Sequence, residues 1–321
     1  MTMISKTKFL QEIGCASGRL AGEINELIFN WHRISGFEIG PNDIDDRLSD
    51  DLYRAAIFWK NLVLSEADGF RDVMGRKTFH ELLLRIFRDN EAITYFGILC
   101  PSYKKGIGAV GFAKEPGNTT YRAFSNLARM VSNTQLLGIR CEAAMFFADI
   151  SVENFDKLLQ RDWDDLEKII WLDSVIAKAY EINFDRLSHY FPKLGQIVGR
   201  EGRKANLNKL DVNPKAIKRS LWRDRWFYPD NFGWSIKEAE KRTVIHAHSY
   251  FWQGKFIRET FKNPVMIYSA YDYEKAGLYN GKNGNLLPCV VFPKKDQSNP
   301  PWATIPHWNI IKNDHELKNY K

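Results

Sequence analysis

The sequence predicts an α/β fold with a mostly parallel sheet, and three features support this prediction. Residues 92–100 and 141–150 are apolar runs of strand length, which is typical of strands buried on both faces. Residues 120–135 lie between them with apolar positions at helical spacing, so the three segments form a β-α-β unit. Two later apolar runs, residues 265–271 and 286–292, extend the sheet. The predicted architecture is Rossmann-like, with helices on both faces of the sheet.

The N-terminal part of the chain has a different pattern. Apolar residues recur at helical spacing in residues 5–33, 49–67 and 76–87, so residues 1–90 are predicted to form a helical extension. Residues 91–321 are expected to form the Rossmann-like core as one compact domain, because no linker separates its parts. Within that core, helical spacing predicts helix throughout residues 152–190.

Local signals also predict a long helix before the strand at residues 265–271. Ser235 and Glu238 have the spacing of a capping box, which predicts a helix running to about residue 260. The dipeptide Asn263-Pro264 ends that helix. Upstream, Asn118 or Thr119 is expected to cap the helix of the β-α-β unit. The polar segment around residues 195–228 is interrupted by Gly and Pro, and we expect it to form a basic lid.

Composition narrows the possible partners. The formal net charge of +7 arises from 46 basic and 39 acidic residues, a mild excess that favours an anionic partner such as a phosphorylated metabolite or a nucleic acid. The four cysteines form no C-x-x-C pair, so they indicate neither a zinc knuckle nor a disulfide framework. No long apolar run predicts a membrane span, and the N-terminus lacks the pattern of a signal peptide. A cytoplasmic protein is therefore expected.

Three motifs suggest chemistry that their context does not favour. The segment "GIGAVG", residues 106–111, satisfies G-x-G-x-x-G, but Pro116 and Gly117 delay the helix that should face a pyrophosphate. His246 and His248 lie two residues apart in a predicted helix, where they point in nearly opposite directions and cannot share a metal ion. Cys100 has no neighbouring base and is interpreted as a buried small side chain. No metal site is predicted.

The carboxyl ends of the predicted strands form the first candidate site. Ligands of open α/β sheets bind outside these ends, and the segments that follow three strands are rich in amines, carboxylates and hydroxyls. A single lysine here is better explained as a solvated loop residue, but the concentration of amines and carboxylates at one edge predicts a site. The candidates are Tyr103, Lys104, Lys105, Asp149, Ser269, Tyr271, Asp272 and Lys275.

Residues 200–225 form the second candidate site. They contain nine Lys or Arg residues and three acids, and the aromatic residues Trp222, Trp226, Phe227 and Tyr228 lie at or just beyond their end. Basic side chains beside aromatic rings suit contacts with phosphates and stacking on bases. A solvated helix and loop face, or a lid over a phosphosugar, explains the charge equally well. The candidate anion contacts are Lys215, Lys218 and Arg219.

The order of segments over residues 77–310 resembles the isonitrile (isocyanide) synthase family of pyoverdine- and dityrosine-type biosynthesis. The similar segments are "FHELLLRIFRDNEAITYFGILCPSYKKG", "MFFADISVENFD", "VMIYSAYDYEK" and "PPWATIPHW". The sequence departs from the family where a histidine of the "SIHP" motif is replaced by Ala270 or Tyr271, where Ile150 follows Asp149 in place of a glycine, and where the "PWH" motif is interrupted.

The resemblance implies an enzyme that condenses the amine of an amino acid with the ketone of ribulose 5-phosphate to form an isonitrile, without a metal or redox cofactor. It implies catalytic roles for Lys275, Asp149, Tyr271 and His307. It also implies substrate contacts from Tyr103, Lys104, Lys105 and Ser269, with the basic lid residues Lys215, Lys218 and Arg219 holding phosphate.

Two alternatives remain open. One is an enzyme that depends on tRNA or another nucleic acid, resembling the tRNA-using cyclodipeptide synthases, whose Rossmann-like core also carries a basic helix. The other is a nucleic-acid-binding protein without catalytic activity. Both would use the basic residues between 200 and 225 to contact phosphates.

Overall fold

The computed structural model describes residues 72–99, 119–149, 160–195, 211–270, 277–283 and 286–293, together with residues 22, 26–27, 29, 52–56, 58 and 197. These residues include a six-stranded sheet with helices around it. None of the helices in these ranges is both long enough and apolar enough to cross a membrane.

The sheet is parallel except at one edge. Its strand order is β1-β6-β5-β2-β3-β4, and only β1 runs antiparallel to its neighbour. If β1 is set aside and the parallel strands are counted from β2, the order becomes 3-2-1-4-5, which is that of a Rossmann-like fold. The predicted mostly parallel sheet is confirmed. The strands are β1 (Asp72–Met74), β2 (Ile93–Leu99), β3 (Cys141–Phe147), β4 (Asn183–Arg186), β5 (Pro264–Ala270) and β6 (Cys289–Pro293).

Helices pack on both faces of this sheet, as predicted. They are α1 (Arg76–Asp89), α2 (Thr119–Leu136), α3 (Gln160–Ala179), α4 (Leu187–Tyr190), α5 (Pro214–Phe232), α6 (Ile236–Thr260) and α7 (Gly277–Asn280). Adjacent residues of β2 point to opposite faces, so Tyr95 belongs to one buried apolar cluster and Phe96 to another. Residues of α1, α2 and α3 complete the first cluster, while α4, α5, α6 and α7 complete the second.

Two strands lie where the sequence predicts helix. β4, Asn183–Arg186, falls within residues 152–190, and β1, Asp72–Met74, falls within the predicted helical extension of residues 1–90. Both predictions are wrong at these positions. β4 has only four residues, exposed or half-buried, and β1 has only three. Such short strands at the sheet edges carry no continuous apolar run, so their pairing with β3 and β6 depends on the rest of the fold.

The order of strands reverses between β2 and β5. From β2 the chain passes through β3 to β4 on one side, whereas β5 and β6 lie on the other side. β2 and β5 are parallel neighbours, with Phe96 opposite Met266, so both strands end at the same edge. Ligands of open α/β sheets bind beside such a reversal, at the carboxyl ends of the strands. The reversal therefore lies at the edge for which the sequence predicts the first candidate site.

Helices α5 and α6 form an antiparallel hairpin. Asn213 caps α5 by accepting a hydrogen bond from the Lys215 N–H. Gly233 ends α5 with a φ of 65°, a left-handed conformation that glycine adopts at little cost. Ser235 and Glu238 then form the predicted capping box, and α6 ends at Thr260. The lid range 195–228 thus contains helix from residue 214 onward, while residues 198–210 lie outside the described residues.

The far end of the hairpin extends past the sheet. At 1.5 Å per residue, the 25 residues of α6 span about 37 Å. The seven residues of β5 span about 23 Å. α6 joins β5 at the amino edge of the sheet, so its surplus length lies on the carboxyl side. In agreement, three buried residues of the hairpin belong to neither of the two apolar clusters that cover the faces of the sheet: Tyr228, Ala239 and Ile245.

Candidate functional site

Two residues predicted at the carboxyl edge, Asp149 and Ser269, lie within the described residues. Tyr103, Lys104, Lys105, Tyr271, Asp272, Lys275 and His307 lie outside the described residues, as do Cys100 and the glycine motif at residues 106–111. Ser269 is located by its backbone in β5, opposite Phe292 of β6. The structure thus brings together the strand ends from which these segments continue. The roles of the seven residues stay predictions.

Asp149 lies two residues beyond the end of β3 and is 3% exposed. Its carboxylate accepts a hydrogen bond of 3.0 Å from the Ser188 N–H and a second from the Ser188 hydroxyl. Ser188 belongs to α4, the short helix after β4, so this contact joins the ends of two neighbouring strands. A carboxylate that accepts backbone N–H groups at the start of a helix has a structural role. A catalytic role for Asp149 stays a prediction.

The exposed face of α5 gathers the predicted anion contacts beside two tryptophans. Lys215, Lys218, Arg219, Trp222 and Trp226 are spaced at i, i+3, i+4, i+7 and i+11, which places them on one side of a helix. All five side chains are exposed, with Trp222 at 56% and Trp226 at 47%. We call this surface the basic-aromatic face. Large indoles that remain in solvent are unusual in a globular protein, which makes this surface a candidate for binding.

The rings of the basic-aromatic face have a defined geometry. The Arg219 guanidinium lies 4.8 Å from the centroid of the Trp222 ring, within the range of a cation–π contact. The Trp222 and Trp226 rings lie 6.3 Å apart between centroids, with an angle of 72° between their planes. One charged group and two stacking surfaces therefore occupy three successive turns of the helix.

The charges of α5 are divided between two environments. Among the described residues, no carboxylate lies within 4 Å of the Lys215 or Lys218 ammonium groups. By contrast, Arg223 pairs with Asp224 at 2.7 Å, and Arg225 pairs with Glu240 of α6 at 2.6 Å. The arginines beside α6 are thus neutralised within the protein, whereas the two lysines remain available to an anion from solution.

Asp224 anchors α5 to α6. It is 2% exposed, and its two carboxylate oxygens accept hydrogen bonds from Arg223 at 2.7 and 3.0 Å and from Thr243 at 2.8 Å. Arg242 adds a contact of 3.4 Å. Burial alone lowers the pKa of Arg223, but the Asp224 carboxylate more than offsets this effect and holds that pKa above its usual range. The hairpin is therefore fixed by a buried charge whose partners come from both helices.

An aromatic stack reinforces the same junction. The Arg242 guanidinium lies 3.9 Å from the centroid of the Tyr228 ring, and the Tyr228 and Trp234 rings stack at 5.0 Å. Tyr228 is buried, unlike the tryptophans of the basic-aromatic face. Of the aromatic residues that the sequence groups together near residue 226, one thus packs inside the hairpin and two face solvent.

The two histidines of α6 are both buried. The Trp252 indole N–H donates a hydrogen bond of 3.2 Å to Nε2 of His248, and the His246 ring contacts the Tyr250 ring. The expected separation of the two histidines on the helix is consistent with these different neighbours. Within the described ranges, no group of three His, Cys, Asp or Glu side chains is placed to hold a metal ion.

The chain is similar to solved structures of tRNA synthetases at TM-scores of 0.41 and 0.42. No family model matches the chain, and no curated protein matches it. The tyrosyl-tRNA synthetase of Archaeoglobus fulgidus with L-tyrosine has a TM-score of 0.42 at 13% identity, over 74% of this chain and 63% of that one. The tryptophanyl-tRNA synthetase of Encephalitozoon cuniculi with tryptophan has a TM-score of 0.41 at 11% identity, over 90% and 69%. The tyrosyl-tRNA synthetase of Aeropyrum pernix has a TM-score of 0.41 at 11% identity, over 77% and 66%.

The chain thus spans 63% to 69% of the length of these three synthetases. The sheet order and helices of the described residues define the chain as a Rossmann-like α/β protein. None of the comparisons connects it with the isonitrile synthases, so that hypothesis stays a prediction.

Proposed function

We propose that this protein binds single-stranded nucleic acid through the basic-aromatic face of α5. The observation that carries the proposal is the placement of three cations and two exposed tryptophans on one side of a single helix. Lys215 and Lys218 would contact backbone phosphates, while Trp222 and Trp226 would stack on bases. Proteins that bind single strands combine these two elements, a positive surface that follows the backbone and aromatic rings that hold the bases.

The exposed rings favour a nucleic acid over a phosphosugar. A small phosphorylated metabolite binds in a concave site that buries most of its surface. The basic-aromatic face is instead the outer side of a helix, and about half of each indole faces solvent. A sugar phosphate would use the cations and leave both tryptophans without a function, whereas unpaired bases account for both kinds of side chain.

The rings also favour unpaired bases over a duplex. In a double helix the flat surfaces of the bases are covered by their neighbours, so a duplex offers phosphates to the lysines but no free ring to Trp222 or Trp226. Loops and ends of a folded RNA, or a single strand of DNA, present both. The ligand class is therefore a strand with unstacked or easily unstacked bases.

The Rossmann-like core would then be the catalytic part of the protein, and the basic-aromatic face would bind the nucleic acid. The basic-aromatic face lies on a hairpin whose far end extends beyond the carboxyl edge of the sheet, the edge at which the predicted catalytic residues follow the strands. A nucleic-acid-dependent enzyme with its chemistry at that edge would be consistent with this arrangement. The reaction with a ketose phosphate stays a prediction that rests on the resemblance alone.

A binding experiment tests the proposal. The affinity for a fluorescent 15-nucleotide single strand is measured by anisotropy for the wild type and for the triple variant Lys215→Ala, Lys218→Ala, Arg219→Ala. We expect the triple variant to bind at least about tenfold more weakly at 50 mM salt, because up to three phosphate contacts are lost. A control variant with Lys77, Lys178 and Lys193 changed to Ala removes the same charge from exposed positions outside the face.

The control is expected to bind nearly as well as the wild type. Two results would contradict the proposal. One is a wild-type protein that binds no single strand at low salt. The other is an equal loss of affinity in the two triple variants, which would show that the affinity depends on net charge and not on the basic-aromatic face.

A further inference from the structure

The two exposed tryptophans are not parallel. Their rings come from positions one turn apart on α5, yet their planes meet at 72° and their centroids are 6.3 Å apart. Stacked bases along one strand repeat at about 3.4 Å with their planes parallel. The ring pair therefore matches neither the spacing nor the orientation of two bases that remain stacked on each other.

We infer that the basic-aromatic face selects weakly stacking, pyrimidine-rich single strands over purine tracts; the inference rests on the proposed function. If neighbouring bases each stack on one indole, their planes must turn apart by about the angle between Trp222 and Trp226. The strand must then give up the stacking between those two bases. This loss costs least where bases stack weakly, and single-strand binding proteins obtain their modest pyrimidine preferences in this way.

The orientation of Trp222 is supported by a second contact. The guanidinium of Arg219 lies 4.8 Å from the centroid of the Trp222 ring. A cation over the ring occupies part of the surface on which a base would stack and resists reorientation of the indole. The Trp222 ring is thus not free to turn parallel to Trp226 without losing this contact. The angle between the two rings is therefore a property of the face before any ligand binds.

The charges of the basic-aromatic face alone would not distinguish pyrimidine strands from purine strands. A surface of lysines binds every strand of equal length with similar affinity, because phosphates are the same in all of them. A single exposed tryptophan also stacks on any base and needs no unstacking between neighbours. Discrimination between pyrimidines and purines must then depend on the presence of both rings.

The experiment compares 15-nucleotide oligouridylate and oligoadenylate, labelled identically, by anisotropy at one salt concentration. For the wild type we expect oligouridylate to bind about tenfold more tightly, because oligoadenylate must give up the stronger stacking between its own bases. The variant Trp226→Ala removes the second ring. It is expected to bind both strands more weakly and to bring the ratio of the two dissociation constants close to one.

The outcomes separate the inference from the function on which it rests. If both strands bind equally well to the wild type, and the triple variant Lys215→Ala, Lys218→Ala, Arg219→Ala weakens both, the proposed function stands and the inference is overturned. A preference that persists unchanged in Trp226→Ala also overturns it, because the angle between the rings would then not be its cause. If neither strand binds at low salt, both the function and the inference are overturned.

Discussion

The Arg219 guanidinium lies 4.8 Å above the Trp222 ring on the solvent side of α5, so the surface that can hold a base is joined to a charge that can hold a phosphate. A cation–π contact at an exposed site stabilises this arrangement by about 0.5–1 kcal/mol. Arg219 is thus both one of the three cations of the basic-aromatic face and the neighbour that orients Trp222.

Salt dependence should separate the cations from the rings. Each phosphate contact on a single strand contributes roughly −0.7 to the slope of log K against log salt, so the double variant Lys215→Ala, Lys218→Ala should have a slope smaller in magnitude by about 1.4. Trp222→Ala should instead weaken binding by roughly 1–3 kcal/mol with the slope unchanged, because stacking involves no counterion release. Anisotropy titrations at four salt concentrations measure both quantities. Equal slopes in the wild type, the double lysine variant and Trp222→Ala would show that the lysines do not contact phosphate.

Asp224 should contribute far more to stability than the exposed ion pair beside it. Asp224→Asn leaves Arg223 and Arg242 without their buried anion, and breaking a buried pair in this way costs about 3–5 kcal/mol of unfolding free energy. The matched control is Glu240→Gln, which removes the partner of Arg225 in another contact between α5 and α6. That pair is largely exposed, so its loss should cost less than about 1 kcal/mol. Urea denaturation measures both, and similar losses in the two variants would contradict the anchoring role of Asp224.

Gly254 should be intolerant of even a methyl group. A Cβ at this position of α6 would lie 2.7 Å from the carbonyl oxygen of Tyr279 in α7, so one of the two helices must shift. We expect Gly254→Ala to destabilise the protein by about 1–3 kcal/mol, although alanine is the better helix former. Gly22 is a helical control with nothing within 4 Å of its added Cβ, and Gly22→Ala should stabilise by up to about 1 kcal/mol. Urea denaturation gives both values, and changes of the same sign would contradict the close approach of α6 to α7.

The stability of the fold should fall between pH 6.5 and pH 4 through His80. Burial, and secondly the charge of Arg76, lowers the pKa of His80 from 6.5 to about 4 in the folded protein. In that pH range the unfolded chain takes up a proton that the folded protein does not. The stability due to the neutral imidazole is therefore complete above pH 6.5 and is lost as the pH falls toward 4, by up to roughly 3 kcal/mol.

The control for this pH effect is His80→Leu, which removes the titrating group. The free energy of unfolding of the wild type minus that of the variant, measured from pH 7.5 to pH 4, should decrease as the pH falls. A constant difference between the two unfolding free energies across this range would show that His80 titrates alike in the folded and unfolded protein.

The central part of the fold was predictable because its signals are local. β2 and β3 are seven-residue strands in apolar runs, and their β-α-β connection gives a parallel pair. The capping box at Ser235 and Glu238 involves residues three apart, so the start of α6 could be placed from sequence. β4 could not be placed in this way, because its four residues are polar or half-buried and their pairing depends on β3.

The candidate site was predictable in part for a similar reason. The segment of residues 200–225 stands out by charge, but it was expected to form a lid. Only helix α5 places Lys215, Arg219, Trp222 and Trp226 on one side. The roles of the acids were not predictable. Asp224 is one of three acids in that segment by composition, yet its burial depends on α6. Asp149 contacts Ser188 across 39 residues, and no local pattern indicates such a pair.

Photo-crosslinking tests whether nucleic acid binds at the basic-aromatic face. The protein is irradiated with a 15-nucleotide oligouridylate at low salt, digested, and analysed by mass spectrometry for peptides that carry a nucleotide. We expect adducts within residues 219–226, on Trp222 or Trp226, and their loss when both tryptophans are changed to alanine. Adducts confined to other segments, with none on α5, would show that nucleic acid binds elsewhere and would contradict the assignment of the basic-aromatic face.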